Sequence, residues 1–201
     1  EAMKLAFADV YRFVAEPSAM DVTVEQMLDD AYLTARAKLI DPRRAGTYSP
    51  GAPPSGGTVY LCAADAQGRM ISLIQSNYKG FGSGLVVPGT GIALHNRGFG
   101  FVNTPGHPNE VAGGKRPMHS IIPAFMTRDG KPVMAFGVMG GNMQAQGHMQ
   151  MVLRRTIEGL NPQACSDAPR WRINDAAVLT LEHAVSQEVV EAMVRGAHQR
   201  S

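Results

Sequence analysis

Residues 41–57 hold four prolines and four glycines in 17 positions, and the run ends in Ser55-Gly56-Gly57 directly before Thr58. Proline fixes φ and offers no backbone donor, and glycine has the most conformational freedom to lose, so regular structure does not cross such a run. It reads as a linker or exposed loop that divides the chain into two parts of different character. Upstream, Met3, Phe7, Val10 and Val14 fall on one helical face over residues 1–15, with Pro17 as the stop. A second helix is expected over about residues 23–38, capped by Thr23. Downstream, TVYLCAAD is an apolar, strand-forming run, and AQG followed by RMISLIQSNY completes a β-hairpin with Gly68 in its turn.

Further strands are expected at 91–95, 121–127 and 132–138, the last two joined by the Asp-Gly turn of RDGKP. After Gly140-Gly141, residues 142–158 read as a helix, a short helix follows Pro162, residues 178–182 read as a strand and 186–195 as a last helix. Helices, then strands, then helices predict a layered α+β protein with antiparallel sheets between helices. With 201 residues, 44% hydrophobic and 18% charged, a sizeable core is expected. A net charge of +2 argues against a nucleic-acid or polyanion partner, and no apolar stretch reaches membrane-spanning length. Cys62 and Cys165 form no CxxC, and Cys62, inside an apolar run, is expected to be a buried, inert thiol. His95, His107, His148, His183 and His198 lack metal-ligand spacing and GSGLVVPGTG lacks the phosphate-loop pattern, so nothing in the sequence asks for a metal or a cofactor. The chain opens inside a helical pattern and reads as a fragment, so its compartment is left open.

Thr58 has two readings. Threonine suits a strand, which makes it an ordinary first strand residue. Alternatively the chain is cut before it, and Thr58 becomes an N-terminal nucleophile whose own amine, with a pKa of about 8, is the general base for its hydroxyl. The motifs that decide are TVYLCAADAQGRMISLIQS, FGSGLVVPGTGIALHN, GGKRPMHSIIPAFMTRDGKPVMAFGVMGG and DAPRW. In this order, over residues 57–172, they resemble the small subunit of γ-glutamyltranspeptidases and their cephalosporin-acylase-like relatives. Residues 1–40, with MKLAFAD and AEP, resemble the end of that family's large subunit. The resemblance implies an N-terminal nucleophile hydrolase, in part: an αββα sandwich made as an inactive precursor that cuts itself before a threonine. The implied cut lies between Gly57 and Thr58. It separates residues 1–57, the end of the large subunit with its linker, from residues 58–201, a small subunit expected to be truncated at its C-terminus. Gly57, without a Cβ, lets the hydroxyl reach the preceding carbonyl.

The remaining roles follow from the resemblance. Ser76, 18 residues beyond Thr58, takes the place of a threonine that hydrogen-bonds the nucleophile. Gly140 and Gly141 match the doublet whose amides form the oxyanion hole. His119 and Ser120, within KRPMHS, stand where two serines bind the α-carboxylate of a γ-glutamyl group. Tyr78 stands where an amino-binding Asn is frequent, Arg97 where a polar amino-binding residue lies, and Gly100 where an Asp holds the substrate ammonium. The transpeptidases usually have Thr-Thr-His where this chain has Thr58-Val59-Tyr60. The implied partners are a small-molecule amide substrate and the rest of the chain's own large subunit, in a heterodimer formed by self-cleavage. The altered acyl pocket points to acyl groups without an α-amino group, such as glutaryl. The rival reading is an unprocessed or decayed homologue that serves as a binding or scaffold protein.

Overall fold

Thr58–Ala64 (β1) and Met70–Ser76 (β2) pair antiparallel, Thr58 opposite Ser76 and Ala64 opposite Met70. The computed structural model in which they are seen describes residues 1–41, 44–45, 58–174 and 176–196. Most of the predicted linker, including Gly57, and also His198 lie outside the described residues. Two compact units are present: Glu1–Pro53, Gly100–His119 and Pro169–Ser201 form one, Pro54–Phe99 and Ser120–Ala168 the other.

The second unit carries the two hairpins. The β1–β2 turn closes at Gly68 (φ +81°), whose N–H donates to the Asp65 carbonyl at 3.0 Å. Side chains alternate: Thr58 and Tyr60 of β1 and Ser72, Ile74 and Ser76 of β2 are half-buried, whereas Val59, Leu61, Ile71 and Leu73 face outward and are exposed. Ala124–Arg128 (β3) and Lys131–Phe136 (β4) form the second antiparallel hairpin, with a register shift at Met126/Thr127. β4 runs into Gly137, which lies so close under the Tyr60 ring that a Cβ there would collide with it. A long helix, Met143–Thr156, follows; it is the fourth α-helix of the chain (α4), and Pro162–Asp167 is the fifth (α5), capped by Asn161. Gly147 of α4 faces Val138, and an added Cβ would sit 2.8 Å from Val138 Cγ2.

In the first unit Ala2–Phe13 (α1) ends before residue 15, and Pro17 starts a 3₁₀ turn, Pro17–Ala19. The expected helix over 23–38 is two helices, Val24–Met27 (α2) and Asp30–Ala37 (α3). Thr23 and Gln26 make a capping box for α2. The Asp29 carboxylate then accepts from the Tyr32 N–H at 2.8 Å and caps α3, which is why the chain breaks there. Tyr32 and Arg36 of α3 both bond Asp9 of α1. Trp171–Ile173 (β5), not foreseen from the sequence, pairs with Leu179–Leu181 (β6), and Gln187–Arg195 (α6) follows a Ser186 cap.

Three further expectations are corrected. Residues 91–95 form no strand; only an isolated bridge, Val86 to Ala93, stands there, closing a loop in which Gly89 and Gly91 both have positive φ. Cys62 is exposed, because the turn-proximal half of β1 has no cover on either face, whereas Cys165 is buried. The core is small: the buried apolar side chains among the described residues are Leu5, Phe136, Cys165, Leu179 and Val190.

Candidate active site

The antiparallel register that makes Thr58 and Ser76 partners also aims both side chains to one face. The Thr58 hydroxyl donates to Ser76 Oγ at 3.0 Å. Ser76 Oγ accepts a second bond, from the Tyr78 N–H, also at 3.0 Å. Both lone pairs of Ser76 are then occupied, which leaves its own proton to be donated elsewhere. Tyr78 adopts φ +75°, which a bulky side chain rarely does. This sharp turn at the end of β2 brings the Tyr78 amide back onto Ser76.

Behind the turn, Asn96 ties two loops together. Its carboxamide accepts from the Lys79 N–H at 3.0 Å and donates to the Lys79 and Gly82 carbonyls at 3.1 and 3.0 Å. His95 Nδ1 accepts from the Arg97 N–H at 3.2 Å. These bonds hold Arg97 and Lys79 around one ring: the Arg97 guanidinium carbon is 5.0 Å and Lys79 Nζ 5.6 Å from the Tyr78 centroid. Lys79 Nζ also lies 3.7 Å from the centroid of Phe99, an exposed side chain. Burial lowers the Arg97 pKa below its ordinary value, and the nearby Tyr78 raises it in part. The group remains a cation at any physiological pH.

Thr58 and Tyr60 project from the same face of β1, and Gly137 backs onto Tyr60. Three residues further on, Gly140 and Gly141 have φ of +114° and +59°, and their carbonyls accept from the Met143 and Gln144 N–H groups at 3.1 and 3.0 Å as α4 begins. Neither glycine N–H donates to a backbone carbonyl among the described residues. Two free amides at the start of a helix form an electropositive spot. Gln144 is buried, and its side-chain oxygen accepts from the Ile122 N–H at 2.9 Å, fixing the start of α4 against the segment just past Ser120.

Of the residues expected from the sequence, Thr58, Ser76, Tyr78 and Arg97 are linked by direct contacts in the second unit, which also contains Ser120, Gly140 and Gly141. Gly100 and His119 belong to the first unit. There buried Asn109 donates to the Gly100 carbonyl at 2.6 Å and accepts from the Met118 N–H at 3.0 Å, and His119 is exposed. Lys115 and Arg116 of the KRPMHS motif are engaged within this unit. Lys115 donates to the Glu110 carbonyl, and Arg116 grips Glu16 through Nε and Nη2, holding the Glu16 carboxyl below the usual range. Sequence reasoning missed Lys79, Asn96, Asn109 and Gln144. An isolated Asn or Gln carries no periodicity, and only the position of Lys79 beside Tyr78 could have drawn notice.

The whole chain, residues 1–201, matches the family model described as gamma-glutamyltranspeptidase. The chain belongs to the gamma-glutamyltranspeptidase family. Within this family it is 38% identical over 171 residues to the oxamate amidohydrolase proenzyme of Klebsiella pneumoniae, covering 85% of the chain and 32% of that protein. It is 31% identical over 203 residues to the acylase ACY 1 proenzyme of Pseudomonas sp. (strain SE83), covering 98% of the chain and 36% of that protein. A solved cephalosporin acylase from Bacillus halodurans matches the whole chain with a TM-score of 0.91 at 50% identity, over 37% of its own length. The chain thus spans about a third of the length of the relatives it matches, and its α+β fold is that of the family's N-terminal nucleophile hydrolases.

Proposed function

We propose that the chain carries the catalytic centre of an autoprocessing amidohydrolase or acyltransferase, with Thr58 as N-terminal nucleophile. The Thr58–Ser76 hydrogen bond of 3.0 Å carries the reading, because it orients a hydroxyl on the first residue after the Pro/Gly-rich run. Relatives described as proenzymes support the maturation step. In that step Thr58 Oγ attacks the Gly57 carbonyl carbon, the peptide C–N bond breaks as the nitrogen takes the hydroxyl proton and becomes the free Thr58 amine, and water then hydrolyses the resulting ester to release the Gly57 carboxylate and the Thr58 hydroxyl. In turnover this amine takes the hydroxyl proton, Oγ bonds to the substrate carbonyl carbon, and the Gly140 and Gly141 amides hold the oxyanion. The C–N bond breaks as the amine leaves with that proton, and water or a second amine then takes the acyl group. Ser120 and His119 are assigned to the acyl group, and the mature protein pairs this chain with the rest of its own large subunit.

In the full-length protein, Thr58→Ala is expected to stay whole by intact mass, while Thr58→Ser still cleaves. Cleavage of Thr58→Ala at the same bond removes the nucleophile from the mechanism, whereas a wild-type protein that stays whole leaves the unprocessed-scaffold reading. The acyl preference is tested separately. Gly100 offers no carboxylate to a substrate ammonium, and an uncompensated buried charge costs on the order of 3–5 kcal/mol. Half of that is a factor of about 10 in rate, so glutaryl-p-nitroanilide is expected to exceed the γ-glutamyl anilide in kcat/KM by at least that much. Gly100→Asp should narrow the ratio; a Cβ there meets the Met118 carbonyl at 3.4 Å, an ordinary contact. The name of the oxamate amidohydrolase relative agrees in kind, since oxamate is an amide of a dicarboxylic acid with no ammonium group.

A further inference from the structure

Hairpin β1–β2 carries Thr58, and hairpin β3–β4 leads into Gly140 and Gly141. Each hairpin is a separate two-stranded sheet, and no ladder of backbone bonds joins them among the described residues. What joins them beside the site is Tyr60, two residues from Thr58 on the same half-buried face of β1. Its ring covers Gly137, the residue after β4, so closely that a Cβ there would overlap Cδ2 and Cε2. Gly137 has a negative φ, so the ring and not the backbone is what calls for glycine there. A pair of hydroxyls repeats the link. Ser72 Oγ donates its single proton to the Phe136 carbonyl at 3.4 Å. The Tyr60 hydroxyl, 3.1 Å from Ser72 Oγ, is therefore the donor in that pair. On its other side the same segment is held by α4: His148 packs edge-on against Phe136, and Val138 lies against Gly147. Residues 136–138 are thus clamped between β1 and the helix, and the glycine pair follows within three residues.

Acyl transfer needs oxyanion donors about 3 Å from the developing oxyanion while the nucleophile meets the carbonyl carbon. A misplacement of about 1 Å costs on the order of 100-fold in rate. In this chain the two groups come from different hairpins, so the link between the hairpins sets their spacing. We infer that Tyr60 is a positioning residue, whose ring and hydroxyl set the distance between Thr58 Oγ and the Gly140 and Gly141 amides. The inference rests on the roles proposed above for Thr58 and the glycine pair. It adds a residue that touches neither the substrate nor the reacting atoms. The ring sets how near residues 136–138 come to β1, and the hydroxyl, through Ser72, ties down the end of β4.

The test uses the full-length protein and the better of the two anilides named above, with kcat expressed per cleaved chain as counted by intact mass. Tyr60→Leu is expected to lower kcat about 100-fold with KM within about twofold, because the amides act in the transition state alone. Tyr60→Phe keeps the ring and should lose only about threefold to tenfold, the usual effect of one hydrogen bond. Gly137→Ala should harm the wild type much more than it harms Tyr60→Leu, in which no ring meets the added methyl group. Unchanged kcat in Tyr60→Leu overturns the inference. So does a loss confined to the number of cleaved chains, or independent effects of Gly137→Ala and Tyr60→Leu, since those report a general loss of fold. A second arm needs no turnover. Hydrogen exchange over residues 137–144, read by mass spectrometry, should be at least about tenfold faster in Tyr60→Leu than in the wild type, with the β5–β6 hairpin unchanged. Equal exchange over 137–144 overturns the inference whatever the fate of Thr58. Faster exchange in a protein that neither cleaves nor turns over instead supports the clamp and locates the failure in the nucleophile assignment.

Discussion

At Gly140 the backbone reaches φ +114°, well outside the left-handed region near +57° that Asn or Asp can share with glycine. A Cβ there would also stand 3.1 Å from Met143 Cβ, inside the first turn of α4. Gly141, at φ +59°, has open space where a Cβ would go, so alanine there costs only the left-handed penalty of roughly 1–2 kcal/mol. The two glycines are therefore not equivalent. Gly140→Ala is expected to rotate the turn amides out of line and to lower kcat by about 100–1,000-fold, the usual loss for one oxyanion donor. Gly141→Ala should lose less. Stopped turnover assays on variants with wild-type circular dichroism check the order, and a Gly140→Ala enzyme with unchanged kcat removes the doublet from the reaction. Thr58 drew notice because it follows the Pro/Gly-rich run, whereas Ser76 and the glycine pair were singled out only through the family resemblance. Lys79 was not, since a lysine in a polar loop looks the same whether it meets water or an aromatic ring.

Among the elements, α4 is unusual in what it buries: Gln144, Gln146, His148, Gln150 and Arg154 are all shielded. Its length was readable from the pattern over 142–158, but its polar interior was not, because amphipathic reading assigns the inward face to apolar residues. His148 packs edge-on against Phe136 with centroids 5.3 Å apart, and neither ring nitrogen has a hydrogen-bond partner among the described residues. Burial pushes its pKa below the ordinary 6.5. The sign follows directly. Above pH 6.5 the ring is neutral in both folded and unfolded chains, and its contribution is intact. As pH falls below 6.5 the unfolded chain takes up a proton that the folded chain refuses, so stability drops until the folded pKa is reached. Thermal melts of the full-length protein between about pH 7.5 and 5.5 should show Tm declining, with a shallower decline in His148→Gln. Identical slopes in the two proteins show that the ring does not contribute. The α2–α3 break taught a related lesson. Apolar spacing ran on through residue 29, but the Asp29 carboxylate satisfied a local amide more readily than a continuing helix could.

For the whole molecule, composition was the poorest guide. A chain that is 44% hydrophobic was expected to bury a sizeable core, yet Val59, Leu61, Ile71 and Leu73 stand exposed on one face of β1–β2, and Phe125 of β3 is half-exposed. Apolar faces of this extent are contact surfaces in folded proteins, and composition records their content without their destination. Topology was better served: both hairpins, the helix after the glycine pair and the terminal helix lie where turn and cap residues put them. The hairpin also has a mechanical meaning. Seven ladder pairs run from Ala64–Met70 to Thr58–Ser76, so the exposed turn at residues 65–69 lies roughly 20 Å from the hydroxyl pair, at about 3.3 Å per residue. One residue added to that turn would set Thr58 opposite Gln75, and every β2 side chain would change faces. The turn is thus a ruler for the distant end of the ladder. With Gly68 kept for its φ of +81°, the length of the turn matters more than its other residues, since a change in length would displace Ser76 from Thr58 as surely as deleting the serine.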